Sequence, residues 1–515
     1  MDDLKDFLHF LLDTEQFDKA RQIVEDSLIE VSKSISENKL FQQIELYGFL
    51  VDIGCDTETE NDITTAIKFF EGNEKELEGI ITKSSYYYNL ANAKHGLSKI
   101  FYSKNRGVHS ISICKEKFQE PISLYWMAYK QCDGDTFLLN KILINLSNSL
   151  MTVSRIIEAL QMLDIVLKNK PTFPQALISR GDNLDHLSNV TNCSVSVALF
   201  TQIYSSYQKG IDTNSLPPTI LERSENAKSE AIRTIESYGF SISDLDKEIE
   251  ETKKEYGNHT TFRKFCIDNF LTLNEHSIYC NCVVTNKDEL QIGIPNVIFK
   301  GELLPKLELL LNRIKSEFAF ARWNYYKSNT EEAFDYDVTF SELLEGEIIN
   351  SQTETLRTSY RICYGILDKI ALGICKLYNV EGGNIFFERF WNDKQRKETL
   401  QKQRNIHLNA LFSIACDLNT STGELKHFKN WRNKLEHNLL ILKNTKIQTP
   451  DFLKVYEDEN FAVIVDIDDF KEKSIQLLQL TRAAIFSFVF CIRLETITTK
   501  ELDKDTSTFK ISIKT

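Results

Sequence analysis

Proline and glycine are scarce, 8 and 19 among 515 residues. Both interrupt helices, proline by removing a backbone donor and glycine by its conformational freedom. Their scarcity, beside abundant Leu, Lys, Glu and Ile, predicts a mostly helical chain, and its length predicts more than one domain. Long hydrophobic runs are missing too. The most apolar stretch, AAIFSFVFCI at 483–492, lies between Arg482 and Arg493 and is too short to span a bilayer. It reads as a buried helix, and no membrane association is expected. No apolar leader opens the chain at MDDLKDFLHF, and the 11 cysteines are scattered and odd in number. Reduced thiols in a cytoplasmic protein are the expectation. An excess of positive charge is also absent. A net charge of −13 excludes coating of nucleic acid by the whole surface, so any polyanion must meet a local basic patch. The chain has no G-x-x-x-x-G-K loop followed by Ser or Thr, no G-x-G-x-x-G after a strand and no H-E-x-x-H. VEGGN at 380–384 reads as a turn between helices.

What is present begins with a repeat. Leu143, Leu146, Ser147, Leu150, Ala159, Leu163, Val166 and Pro171 alternate large and small residues over a helix pair that ends in proline. This resembles the tetratricopeptide (TPR) pattern of about 34 residues, in which small side chains let two helices approach closely. A second unit follows with Ala176, Leu177, Gly181 and Leu184, and weaker copies lie at 86–97 and 17–28. Such arrays recognise partners on a concave face.

The turn formers and paired prolines of GIDTNSLPPTILERSEN (210–226) mark a junction, and the charged SDLDKEIEETKKEYG (243–257) predicts a connecting helix. The expected division is a TPR-like array at 1–205, a linker with its helix at 206–262, and a helical bundle at 263–515. Long helices are predicted after Leu303, over 355–379, over about 425–442 and over about 470–495. The last is apolar all round in its second half and should lie inside the bundle.

The helix at 425–442 carries the chemistry. Trp431, Leu435, Leu439 and Leu442 recur at helical spacing and form an expected core stripe. Arg432, Glu436, Lys429, Asn433 and His437 fall on the opposite arc, at about 100° to 240° from Trp431. Arg432–Glu436 and Asn433–His437 are i,i+4 pairs. Between Asp393 and Lys446 there are eleven Lys/Arg against five Asp/Glu, a basic patch in an acidic protein. Lys426, His427, Lys429 and Lys434 are the expected contacts to a polyanion, with a plain surface role as the favoured alternative for His427. Asp368, polar in an apolar helical stretch, either supports the site or pairs with Lys369 or Arg361, the structural role being favoured. His276, Cys280 and Cys282 are a close cluster of soft ligands without a second C-x-x-C or H-x-x-x-H, so no metal site is expected.

Arg432-Asn433-Lys434-Leu435-Glu436-His437 resembles the R-N-x-x-x-H form of the Arg-x(4–6)-His motif of the HEPN superfamily. FCIDNFLTLN (265–274), YRICYGILDKIA (360–371) and FKNWRNKLEHN (428–438) resemble, in that order, a branch of HEPN proteins with TPR-type repeats ahead of the nuclease domain. The resemblance covers roughly 260–500. It implies an all-α protein, a TPR-like array followed by a HEPN helical bundle. It also implies a metal-independent endoribonuclease of bacterial defence or toxin systems, with no cofactor and a homodimer formed through the HEPN domain. Arg432, His437 and Asn433 are then the catalytic set, RNA is the substrate, and a protein or phage-derived trigger engages the repeat half. The alternative is a non-catalytic RNA-binding or scaffold protein with TPR-mediated contacts.

Overall fold

A computed structural model describes residues 2–35, 38–105, 110–190, 196–242, 245, 254–293, 303–330, 347–380, 385–444 and 462–502. The chain divides into two compact units, one formed by 1–189 with 196–245, the other by 190–195 with 246–515. The boundary therefore lies beyond the expected 205. Val197–Ile211 packs against Pro218–Ser237, so the latter joins the first unit instead of acting as linker. Its entry is set by Pro217 and Pro218, the second of which occupies the first helical turn, where no backbone donor is needed. Most of the predicted connecting helix at 243–257, and VEGGN after Val380, lie outside the described residues.

In the first unit successive helices pack on one another along the chain. The residues that carry the repeat pattern are interior: Leu143, Leu146, Ser147, Leu150, Ala159, Leu163 and Val166 are all buried. Close approach depends on glycine where two helices cross. A Cβ at Gly181 would meet the Tyr207 ring at 2.9 Å, and one at Gly210 would meet Ile178 Cδ1 at 2.6 Å. A groove of about 1030 Å³ runs within this unit, lined by Asp13, Asp52, Asn92, His95, Asn145 and Asp182 among others.

The second unit is built around the helix Ile467–Leu502, which packs against Leu303–Thr330, Ser351–Leu377 and Ile406–Asp417. Its apolar window is long enough to cross a membrane by length and composition, yet 83% of it is buried among the unit's own helices, as a core helix must be. Gly373 permits the closest crossing, since a Cβ there would meet Phe488 Cζ at 2.5 Å. One parallel strand pair, Leu439–Lys443 with Ala462–Asp466, interrupts the helical architecture among the described residues.

Candidate functional site

The motif lies on the helix Lys426–His437, which ends eleven residues after it begins instead of continuing to Leu442. Leu439 and Leu442 belong to the strand, so they cannot extend the expected stripe. The buried face is consequently rotated. With Trp431 at zero, Phe428, Leu425 and Lys429 fall at about 60°, 120° and 160°, and all three are buried while Trp431 is only half-buried. Arg432, at about 100°, therefore lies on the packed side of the helix and is half-buried like Asn433, whereas His437 is exposed at the helix end.

The turn entering this helix is tight. Gly423 N–H donates to the Asn419 carbonyl at 2.9 Å and Leu425 N–H to the Asp417 carbonyl at 2.8 Å. The helix is then latched by Ser351–Leu377. Tyr360 donates its hydroxyl to the Phe428 carbonyl at 2.8 Å and Arg361 Nη2 donates to the Leu435 carbonyl at 2.9 Å. Arg357 Nη2 donates to the Leu440 carbonyl at 2.9 Å. A guanidinium at Leu435 answers a carbonyl that a helix end leaves without an internal partner. Trp431 completes the anchorage through rings, with centroids 5.5 Å from Phe470 and 5.7 Å from His427.

The polar groups pair differently from the sequence expectation. Glu436 faces Arg361 at 3.7 Å instead of Arg432. Arg432 Nη1 donates to Asn433 Oδ1 at 3.4 Å, a long contact. Its charge also acts inward on Tyr364 and Asp368. Lys429, expected on the RNA-facing surface, is instead buried with its Nζ 2.6 Å from Glu388 Oε1, and it lies over the Tyr364 and Phe386 rings. Its charge is answered inside the protein. Asp368 pairs with neither Lys369, which bridges to Glu317 at 3.0 Å, nor Arg361; its Oδ1 accepts from Phe387 N–H at 2.9 Å. Burial pushes its carboxyl above the usual range against that hydrogen bond, and Glu388 adds to the rise. Burial likewise raises the Tyr364 hydroxyl well above 10.

Tyr364 and Glu388 are the neighbours that sequence reading missed, while Arg361, considered there for Asp368, meets Glu436 and the Leu435 carbonyl instead. Tyr364 stands one turn before Asp368, a spacing that could have flagged it; Glu388 lies in a segment with no periodic signal. The basic patch is thinner than the charge count implied, because Arg396 and Lys443 are buried along with Lys429; Lys446 lies outside the described residues. Lys394, Lys397, Lys402, Arg404 and Lys426 are exposed, His427 and Lys434 half-buried. Away from the motif, His276, Cys280 and Cys282 place their ligand atoms within 4.8 Å of one another.

No curated protein and no solved structure matches the chain. Residues 298–495 match the family model described as LA2681-like HEPN, a stretch that spans the latching helix, the motif helix and most of the core helix. The family model does not extend to the repeat half. Residues 298–495 are thus similar to HEPN domains, a superfamily whose members are generally ribonucleases.

Proposed function

We propose that the protein is an endoribonuclease that cuts RNA through its own 2′-OH, with His437 and Arg432 in the reacting site. The 2′-oxygen attacks the adjacent phosphorus, a 2′-O–P bond forms and the P–O5′ bond breaks. The proton of the 2′-OH leaves to a base, and the departing 5′-oxygen takes one up. Products are a 2′,3′-cyclic phosphate and a 5′-OH. Imidazole suits the proton transfers, and a guanidinium offers a planar fork to the charged phosphoryl oxygens. Asn433, adjacent to Arg432 and one turn before His437, orients one of the two.

The observation that carries this reading is the exposure of His437 at the end of a helix whose opposite side is latched at Phe428 and Leu435. That arrangement supports an imidazole held in a fixed place yet open to a large substrate. Arg432 is about 140° from His437 around the helix, which favours a cleft completed by a second copy of the same motif in a homodimer. Of the expected RNA contacts, Lys426, Lys434 and His427 stay in the proposal and Lys429 leaves it. In the first unit, the polar groove offers a place for a trigger in a bacterial defence or toxin role within the cytoplasm.

Inducible expression of wild type, Arg432→Ala and His437→Ala, followed by sequencing of RNA 5′-OH ends, tests the reading. New 5′-OH ends in wild type that vanish in both variants are expected, and a substrate with 2′-deoxy at the cut position should resist. Unchanged ends in either variant would favour a non-catalytic RNA-binding or scaffold role.

A further inference from the structure

The segment 254–293 has little regular structure. After the helical residues 254–256 it holds one short helix, Thr261–Asp268, and two single turns, His276–Ile278 and Val283–Asn286. Its shape is fixed instead by side chains reaching its backbone. His259 has its Nε2 2.9 Å from the Asn281 carbonyl and its Nδ1 2.6 Å from Asn286 Oδ1. Asn274 accepts from His276 N–H at 2.9 Å and donates to the Lys287 carbonyl at 2.9 Å. Within this frame Cys280 N–H donates to the His276 carbonyl at 3.0 Å, a turn that brings the two side chains to one side. Cys282 follows two residues later, and the imidazole and both thiols converge within 4.8 Å.

We infer that His276, Cys280 and Cys282 form a structural zinc site, a property separate from RNA cleavage and independent of whether that reading holds. Two thiolates and an imidazole are the donor set zinc prefers. With Zn–S near 2.3 Å and Zn–N near 2.0 Å, a tetrahedral site sets its ligand atoms about 3.3–3.8 Å apart. Side-chain rotation of roughly 1 Å closes the observed cluster to that size. The Tyr279 hydroxyl lies 3.2 Å from His276 Nδ1 and fixes the ring, as outer-shell partners do.

The sequence argument against a site was the missing second pair of ligands, and the fold supplies a nearby group that no spacing rule would connect. The Glu255 carboxylate accepts from Val283 N–H at 3.0 Å, beside Cys282 and outside the three-residue cluster. The fourth position falls to water, or to this carboxylate after a movement of its side chain toward the cluster. The ion's work is to pin the segment to the core: Glu275, adjacent to His276, pairs with Arg493 of the core helix, and Asp288 pairs with Arg322 of Leu303–Thr330.

The test is metal analysis of the full chain purified from zinc-supplemented culture. Wild type is expected to keep about one zinc per chain through desalting, and Cys132→Ser, remote in sequence, should keep as much. Cys280→Ser/Cys282→Ser and His276→Ala should each fall below a tenth of that. Cobalt added to metal-free wild type should give a thiolate charge-transfer band with tetrahedral d–d absorption, a readout that does not depend on any variant folding. Zinc-free wild type that takes up no zinc and gives no cobalt band overturns the site. So does full zinc content in the double cysteine variant, or a Cys280–Cys282 disulfide in freshly purified protein.

Discussion

Lys429 Nζ lies 2.6 Å from Glu388 Oε1, with both side chains about 95% removed from solvent. A pair held this way contributes little over an apolar pair of the same volume, but removing one member leaves a buried charge without its partner. Lys429→Ala is therefore expected to cost about 3–5 kcal/mol in denaturant unfolding. Lys429→Met combined with Glu388→Gln should recover most of that loss. Lys426→Ala, three residues earlier and exposed, should shift stability by less than about 0.5 kcal/mol. A Lys429→Ala protein as stable as wild type yet unable to bind RNA would return Lys429 to the surface role.

His407 gives the second unit an acid-sensitive element. It is buried beside Phe490, with ring centroids 5.5 Å apart, and its Nδ1 has no hydrogen-bond partner among the described residues. Burial lowers its pKa from 6.5 to about 3. The folded state then binds fewer protons than the unfolded one between those values. Its contribution is complete above about pH 6.5 and declines by about 1.4 kcal/mol per unit as pH falls toward 3. Comparing urea midpoints at pH 7 and pH 5 should show a smaller acid loss in His407→Leu than in wild type. Equal losses would mean that the ring is protonated in the fold.

Much of this was legible in the sequence because it depends on local periodicity. Leu143, Leu146 and Ala159 announce buried positions by spacing alone, and the apolar run at 483–492 announces a core helix. Arg432, Asn433 and His437 could be placed on one helix for the same reason. What could not be read depends on partners far along the chain. Glu388 neutralises Lys429 across 41 residues, and Phe387 N–H takes Asp368 across 19. The helix end at His437 is another case. Leu439–Lys443 has apolar residues that fit either a helix or a strand, and pairing with Ala462–Asp466 decides in favour of the strand. That decision rotates the buried face and places Arg432 on the packed side.

Asp52 makes the groove of the first unit sensitive to pH. Its side chain is exposed on the groove wall, yet desolvation by the surrounding walls, with Asp56 adding like charge, raises its pKa from 3.8 to about 7, against the opposing charges of Lys99 and Lys141. The folded state binds this proton more tightly than the unfolded one. The stabilisation is complete below about pH 3.8 and is lost as pH rises through 7. Asp52→Asn should therefore melt higher than wild type at pH 8, with the difference shrinking at pH 5. A difference that grew as pH fell would reverse the sign and show a carboxylate stabilised by the lysines.

The same substitution, glycine to alanine, should act with opposite sign at two positions around the motif. At Gly423, a Cβ would strike the Asp417 carbonyl and approach Asn419 N and the Cys416 carbonyl at 2.6 Å. These are backbone atoms of the turn that starts the motif helix, so none can swing aside. Gly423→Ala should cost about 1–3 kcal/mol or more. At Gly365, in the middle of the latching helix, the nearest atom to a new Cβ is Lys369 Nζ at 3.9 Å. Alanine there meets no obstacle and restricts the unfolded chain, so Gly365→Ala should stabilise by about 0.5–1 kcal/mol. Thermal unfolding of the two variants measures the contrast directly. If the nuclease reading holds, 5′-OH ends should also decline in Gly423→Ala at temperatures where the protein is still folded. The turn sets where the motif helix begins, and hence where Arg432 and His437 stand. Equal stability of the two variants would mean that the Asp417–Leu425 turn relaxes freely and does not position the helix.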